Sequence, residues 1–314
     1  MTITSNLDYL SERIEIDCVC GASGGLTFRR VDRYGLKFQY KLCLFCGHAR
    51  TANPVSMESA RRYYGSSDYR SMYFPGEAPE DVLHRKTPRP STTSPLLRYV
   101  NDRGISRGKI LEWGCGGGWN LVPFRDAGWN TLGYDYDTLY TNLGRSRLGL
   151  SLHVIPPDVT ELRSEQPDVI LLNHVLEHSA EPLSLLSNLR QLCNDSTALV
   201  VGVPLLETIR IWHWHDFFHI AHIHYFSAES LVRVANHAGF VVTHADVQSG
   251  LFTLMLGRDV VPQPTNRAFV FRSARLLLSG FIEPRHRIPQ AFRGVLASVG
   301  LIGIARRIKR RLRK

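Results

Sequence analysis

The 314-residue sequence has no uninterrupted apolar run that approaches the roughly 18 residues of a membrane-spanning helix. Its N-terminus, MTITSNLDYLSERIEID, lacks the apolar core of a secretion signal, and no segment of the chain repeats. We therefore expect a cytoplasmic protein rather than a membrane-spanning, secreted or repeat protein. With 44% hydrophobic and 21% charged residues, the chain can bury a substantial core.

Acidic residues are almost absent from the last part of the chain. Between Gln263 and Lys314 there is one acid, Glu283, against 13 Lys and Arg residues, so this segment carries +12. Because the whole chain carries +10, residues 1–262 carry a formal charge of −2. A basic groove is not expected beside a site in those residues, which argues against a nucleic acid as partner.

The basic tail has a helical pattern in GVLASVGLIGIARRIKRRLRK. Leu301, Ile304, Ile308 and Leu312 fall on one face of a helix, with Arg and Lys around them. Such a helix can dock peripherally on an anionic membrane, here the inner face of the cell membrane. A solvated tail and an RNA contact are the alternatives, and the sequence leaves all three open.

Cysteine is scarce, yet four of the six cysteines lie in two close pairs near the N-terminus. Cys43 and Cys46 with Gly47 form a C-x-x-C-G knuckle, whereas Cys18 and Cys20 have the tighter C-x-C spacing, which is less typical of zinc ribbons. In a reducing compartment, a tetrahedral zinc ion explains four such thiols better than disulfides do. The pattern predicts a zinc site, with free buried thiols as the alternative.

Short apolar runs alternate with amphipathic segments after residue 108, and this rhythm predicts an α/β fold with a buried parallel sheet. Ser94 and Ser227 are predicted to cap two of the helices. Two late runs, FVVTHADV and LFTLMLGR, are separated only by QSG and are predicted to form an antiparallel hairpin.

The glycine loop ILEWGCGGGWN lacks the Gly-Lys-Ser ending of a phosphate-binding loop and the third glycine of a dinucleotide fingerprint. It has instead the pattern E-x-G-x-G-x-G, formed by Glu112, Gly114, Gly116 and Gly118. Glycines let a ligand approach the backbone closely, and the glutamate would repel a phosphate. The loop therefore favours a cationic ligand without phosphate, such as S-adenosylmethionine (SAM).

With these residues, the stretch from Ser94 to Arg258 resembles the class I SAM-dependent methyltransferases. The resemblance implies a Rossmann-like seven-stranded α/β sheet in which Asp135 holds the ribose hydroxyls. It also implies that Asp158 receives the adenine amino group, and that Asn173 lies where the fourth strand ends, in DVILLNHVLEH. The cofactor residues so implied are Glu112, Gly114, Cys115, Gly116, Gly118, Asp135, Tyr136, Asp158, Val159 and Asn173.

A histidine-rich stretch, RIWHWHDFFHIAHIHYFS, follows the fifth strand of this pattern. In the family, a polar residue or histidine a few positions before an aromatic pair and a Ser or Thr points toward the substrate. His222 matches this position and is the first candidate for the general base, and His224 is the second. A simple apolar lid is the alternative. Asp216 is the only carboxylate in this stretch, so its spacing does not predict a metal. His178 is expected to be structural.

The N-terminal cysteines followed by ARRYYGSSDYRSMY resemble the zinc-ribbon module of methyltransferases that act on sugars, polysaccharides and natural products. The predicted domains are a zinc-ribbon module with connector (1–75), a linker (76–93), the methyltransferase domain (94–260) and a basic helical extension (261–314). The expected activity is methyl transfer to a hydroxyl, carboxyl or amine of a small molecule or glycan precursor. An rRNA or tRNA base methyltransferase and a catalytically silent SAM-binding scaffold are the alternatives.

Overall fold

The computed structural model describes residues 12–65, 69–70, 73–88, 94–156, 158–209, 217–257 and 267–282. The strands in this range are β1 (Leu26–Val31), β2 (Lys37–Leu42), β3 (Ala49–Thr51), β4 (Lys109–Trp113), β5 (Asn130–Asp135), β6 (Ser151–Val154), β7 (Val169–Asn173), β8 (Ala198–Gly202), β9 (His224–Tyr225), β10 (Phe240–Asp246) and β11 (Leu251–Leu256). The α-helices are α1 (Met57–Gly65), α2 (Pro79–Lys86), α3 (Pro95–Asn101), α4 (Val122–Asp126), α5 (Thr138–Leu148), α6 (Pro182–Arg190), α7 (Ala228–His237) and α8 (Arg267–Ile282). Short 3₁₀ helices lie at Val159–Glu165, Leu176–His178 and Leu206–Thr208.

The larger sheet has seven strands in the order β10-β11-β8-β7-β4-β5-β6. Strands β4 to β8 are parallel, whereas β11 runs antiparallel to both β8 and β10. The predicted α/β fold with a seven-stranded, Rossmann-like sheet is confirmed, and so is the hairpin between β10 and β11. The carboxyl ends of β4, β5, β7 and β8 lie along one edge, which is where such sheets bind ligands.

Burial explains why the apolar runs of the sequence form the central strands β7 and β8. The β7 side chains from Val169 to Leu172 are fully buried, as are nearly all of those in β8, because helices cover both faces of the sheet. The predicted caps are also present: Ser94 accepts a hydrogen bond from the Leu97 N–H, and Ser227 accepts one from the Ser230 N–H. Local sequence and core packing therefore agree in this half of the chain.

A second, four-stranded sheet has the order β1-β2-β3-β9. Its last strand, β9, comes from the histidine-rich stretch and pairs with β3, so that Ala49 faces Tyr225 and Arg50 faces His224. A separate aromatic core holds this sheet together, in which the Tyr225 ring packs on those of Tyr40 and Phe218. The N-terminal module and the histidine-rich stretch are therefore parts of one sheet.

Two of the predicted segments, 76–93 and 261–314, each contain a helix. Helix α2 lies inside the range 76–93 that composition predicts as a linker, because Pro79 opens a helical turn and Glu80 and Asp81 favour its N-terminus. Helix α8 lies within the predicted extension 261–314, whereas the tail helix from Leu301 onward is outside the described residues. Within the described part of the chain, none of the helices is long and apolar enough to cross a membrane.

Candidate functional site

The glycine loop connects β4 to the turn before α4 and has a backbone that other residues adopt only with strain. Gly114, Gly116 and Gly118 have φ values of 77°, 54° and 76°. A β-carbon on Gly114 would also lie 2.4 Å from a methyl carbon of Val175. Glycine is therefore required both for the turn and for the close approach of the chain that follows β7.

Asp135, the last residue of β5, lies directly against this loop. Its Oδ2 accepts a hydrogen bond from the Gly116 N–H at 2.7 Å, and its Oδ1 accepts one from the Asp137 N–H at 2.8 Å. Burial raises the pKa of this carboxyl, although the backbone donors oppose the shift. Each carboxylate oxygen retains a further acceptor site, which suits a ligand with two neighbouring hydroxyl groups.

Glu112 is completely buried in β4 beside the same loop. Its Oε1 accepts a hydrogen bond from Asn120 Nδ2 at 2.7 Å, whereas its Oε2 has no hydrogen-bond partner among the described residues. Burial raises the pKa of Glu112 to about 8; the hydrogen bond from Asn120 opposes this shift, and the nearby Asp135 adds to it. A buried carboxyl with a spare oxygen is favourable for a cationic ligand, which would stabilise its charged form.

The other predicted cofactor residues fall into two groups. Tyr136 is about half exposed, at 52%, and follows Asp135 along the same edge of the sheet, where its ring is accessible. Asn173 is the last residue of β7. Its side-chain oxygen packs against Gly202, since a β-carbon on Gly202 would lie only 2.6 Å from that oxygen. These two side chains, with the loop and Asp135, lie where the central strands end.

Cys115, Val159 and Asp158 are placed differently. The Cys115 side chain is buried in the core, where its sulfur would lie 2.7 Å from a β-carbon on Gly133. Cys115 therefore contributes only its backbone to the ligand side of the loop. Val159 is buried in the core beside Trp113. Asp158 is exposed and caps the 3₁₀ helix by accepting the Thr160 N–H at 2.8 Å, which lowers its pKa. An adenine contact from Asp158 therefore stays a prediction.

A cluster of histidines surrounds Glu177, which is completely buried in the 3₁₀ helix after β7. Its Oε1 lies 3.2 Å from His174 Nδ1, 3.8 Å from His178 Nε2 and 4.0 Å from His222 Nε2. The other oxygen, Oε2, has no hydrogen-bond partner in the described part of the chain. We name these four side chains the Glu177 cluster.

His174 connects the Glu177 cluster to the glycine loop. It has a left-handed backbone with φ 57°, which is strained for a residue with a side chain, and its N–H donates to the Gly202 carbonyl at 2.8 Å. Burial disfavours its charged form, but the Glu177 carboxylate outweighs this and raises the His174 pKa. The next residue, Val175, covers Gly114, so the cluster and the loop are neighbours.

The two predicted base candidates have different surroundings. The His222 ring packs on that of His219 at 3.8 Å between centroids, and its Nδ1 has no hydrogen-bond partner among the described residues. His224 instead shares a 2.9 Å hydrogen bond with His48 of the N-terminal module, and burial lowers its pKa to about 4. This geometry favours His222 over His224 as a residue that reaches a substrate.

Side chains of the N-terminal module line the Glu177 cluster from the other side. The Tyr64 hydroxyl lies 3.1 Å from His178 Nδ1, and the Tyr73 hydroxyl lies 3.1 Å from His219 Nδ1. The module and the connector after it therefore pack against the histidines of this region.

The four N-terminal cysteines also come together, although the first pair has the unusual C-x-C spacing. The sulfur of Cys18 is 3.5 Å from that of Cys46, and the sulfur of Cys20 is 3.7 Å from that of Cys43. A tetrahedral Zn–S₄ site places its sulfurs about 3.8 Å apart. Gly47, with φ 76°, follows the second pair and donates its N–H to the Cys43 carbonyl. The residues present fit a structural zinc ion.

The sequence match places this geometry in a family. Residues 86–245 match the family model described as a methyltransferase domain, which is half of the chain. The chain belongs to this methyltransferase family. The matched range contains the glycine loop, Asp135 and the whole Glu177 cluster, and it begins at the end of α2 rather than at the predicted boundary of residue 94. No curated protein matches the methyltransferase significantly over its sequence.

Several solved structures are similar to the methyltransferase. An O-methyltransferase family protein from Burkholderia thailandensis is 13% identical with a TM-score of 0.44, over 64% of this chain and 63% of its own. Magnesium protoporphyrin IX methyltransferase from Synechocystis is 17% identical with a TM-score of 0.44, over 65% of this chain and 100% of its own. The 1,6-didemethyltoxoflavin N1-methyltransferase of Burkholderia thailandensis is 18% identical with a TM-score of 0.41, over 67% of this chain and 93% of its own.

Glu177 is the residue of this site that the sequence did not single out. Its position one residue before His178, in the short 3₁₀ helix that follows a buried strand, is the signal that could have drawn attention to it. The signal is weak, because glutamate before histidine is an ordinary pair in a βα loop. Only the fold brings His222, which lies 45 residues further along the chain, to the same carboxylate.

Proposed function

We propose that this protein is a SAM-dependent methyltransferase that acts on a hydroxyl, carboxyl or amine of a small molecule or a glycan precursor. SAM would be held by Glu112, by the backbone of the glycine loop and by Asp135. The acceptor would lie beside the Glu177 cluster.

One observation carries this proposal: the glycine loop and the Glu177 cluster are joined through Val175, which packs on Gly114. A methyl transfer needs its two partners in line and within contact distance, so the two sites must be neighbours. The loop offers a buried carboxyl for a cation and Asp135 for a diol, whereas the cluster offers imidazoles near a buried carboxylate. These are complementary requirements for one displacement reaction.

When bound, SAM supplies a methyl group on a positively charged sulfur. In the transfer, a bond forms between the acceptor atom and the methyl carbon, and the carbon–sulfur bond breaks with its electron pair moving to sulfur. A hydroxyl acceptor must also lose its proton, and an imidazole of the cluster is suited to accept it. The sequence predicts His222 for this role, and His174 is the more exposed imidazole, at 55% against 13% for the side chains.

The substrate class is inferred from charge and enclosure. Residues 1–262 have a formal charge of −2, which does not favour a long polyanion such as RNA at this site. Tyr64 contacts His178 of the cluster and Tyr73 contacts His219 beside it, and a site bordered by such side chains suits a substrate the size of a sugar or metabolite. We propose that this module is a structural zinc ribbon that frames the acceptor side.

The test of the proposed function has two stages. Calorimetry should first detect SAM binding by the purified protein, and absence of binding would contradict the proposal. Radiolabelled SAM with fractionated cell extract should then place label in small metabolites or lipid-linked sugars. Label confined to RNA would contradict the substrate class but not the reaction. The Asp135→Ala variant is the negative control in both stages.

A further inference from the structure

The Glu177 cluster contains a set of possible metal-ligand atoms that the methyl transfer itself does not require. Atoms from Glu177, His178 and His222 all lie within 4.8 Å of one another, and none of the three side chains is exposed. A fully buried carboxylate is costly unless a cation or several donors satisfy it. Among the described residues, only the His174 ring lies within hydrogen-bond distance of the Glu177 carboxylate, and its Oε2 has no partner.

The orientation of His178 is fixed in the way that metal-binding histidines usually are. Its Nδ1 lies 2.8 Å from the Ala221 carbonyl, which accepts hydrogen bonds only, so Nδ1 carries the proton. The unprotonated Nε2 therefore faces Glu177. In metal-binding histidines, the ring nitrogen that does not bind the metal typically donates its N–H to a backbone carbonyl or a carboxylate in this manner.

We propose that Glu177, His178 and His222 bind a divalent cation of the zinc class, with an open position toward the acceptor. Two imidazoles and one carboxylate suit zinc or cobalt better than magnesium or calcium, which prefer oxygen donors. Around such an ion, neighbouring ligand atoms lie roughly 3.0–3.4 Å apart. The observed separations of 3.8 Å and 4.0 Å from Glu177 would close to that range by small side-chain rotations.

This site deepens the proposed function and rests on it for its role. A cation at this position would bind the acceptor oxygen and lower its pKa, so that a hydroxyl loses its proton near neutral pH. His222 would then serve the acceptor as a ligand of the cation, and the more exposed His174 would accept the proton. The site is distinct from the four cysteines, which supply only sulfur.

The experiment counts metal ions on the full-length protein. Native mass spectrometry after purification with added Zn²⁺ should give two ions per chain, and the Glu177→Gln and His178→Ala variants should each give one. The matched control Glu181→Gln, an exposed glutamate at the start of α6, should keep two. Replacement by Co²⁺ should give a thiolate charge-transfer spectrum in all of these proteins, because the cysteines are intact.

Every outcome decides the proposal. One ion in the wild-type protein, or two ions in both cluster variants, would overturn the site. If a cluster variant lost one ion and also lost the thiolate spectrum, the missing ion would be that of the cysteine module, and this result would also overturn the proposed site. Calorimetry of SAM binding keeps the proposed function separate: a protein that binds two ions but no SAM contradicts the function and not the metal site. His174→Ala should retain both ions while turnover falls.

Discussion

The backbone N–H of Gly116 donates a 2.7 Å hydrogen bond to Oδ2 of Asp135, which ties the glycine loop to the end of the neighbouring strand β5. The glycine loop after β4 and Asp135 at the end of β5 are therefore held together at the same edge of the sheet. A ligand that binds one of them meets the other in a fixed position. This preorganisation is what a cofactor site requires, because little ordering remains to be done on binding.

Replacing Asp135 by Ala should weaken SAM binding by about 2 kcal/mol or more, roughly 30-fold, because a charge-assisted acceptor is lost. Asp135→Asn keeps the shape and one acceptor oxygen, so we expect a smaller loss. Titration calorimetry measures both. Asp126→Ala, an exposed aspartate outside the loop, is the control and should bind SAM as the wild type does. Unchanged affinity in Asp135→Ala would remove Asp135 from the site.

SAM affinity should rise with pH between about 6 and 8 because of Glu112. Burial raises its pKa to about 8, so the free protein holds a neutral carboxyl at pH 7. A bound cation favours the carboxylate, which means that binding releases a proton and strengthens as the pH approaches 8. Calorimetry in buffers of different ionisation enthalpy measures the proton. Glu112→Gln in the same buffers accounts for titration of SAM itself, and an identical pH dependence in this variant would contradict the assignment.

The cysteine module should contain one zinc ion held by Cys18, Cys20, Cys43 and Cys46. Cys46→Ser should lose this ion and lower the melting temperature, because the free energy of metal binding contributes to folding of the module. Cys193→Ser, a half-buried cysteine outside the cluster, should retain it. Native mass spectrometry and thermal unfolding give the two readouts. A metal-free protein whose N-terminal module is folded would count against the site.

His222→Ala should lower kcat by roughly 100-fold or more while the SAM dissociation constant stays within about twofold. His224→Ala should behave differently, since His224 is buried against His48: we expect a lower melting temperature and a smaller loss of kcat. Steady-state kinetics, calorimetry and thermal unfolding separate the two. Equal loss of turnover and SAM affinity in His222→Ala would indicate a structural lid residue.

The basic tail should bind anionic membranes if its predicted amphipathic helix forms there. In liposome flotation, the full chain should float with anionic but not with neutral vesicles, and high salt should release it. Removing residues 295–314 should abolish flotation. If the truncated protein floats as well as the intact one, the tail is not the anchor.

Local signals predicted the elements that build the cofactor corner. The run KILEW coincides with β4, and Ser227 caps α7 together with Ser230, because strand burial and helix capping depend on a few adjacent residues. The Glu177 cluster could not be predicted in this way. His222 reaches Glu177 only because β9 pairs with β3 and folds the histidine-rich stretch back over the sheet. Composition also gave no sign of α2 within the predicted linker, where helix-favouring acids outweigh the flanking prolines.

The pairing of β3 with β9 also has a consequence during synthesis on the ribosome. Strands β1 to β3 leave the exit tunnel early, but their sheet has an open edge until His224 and Tyr225 have been translated. The N-terminal segment must therefore wait for most of the methyltransferase domain before it can close. For anyone who builds chimeras with related enzymes, residues 12–65 and 217–226 are two distant pieces of gene that have to be moved together, along with α8, which packs on the same core.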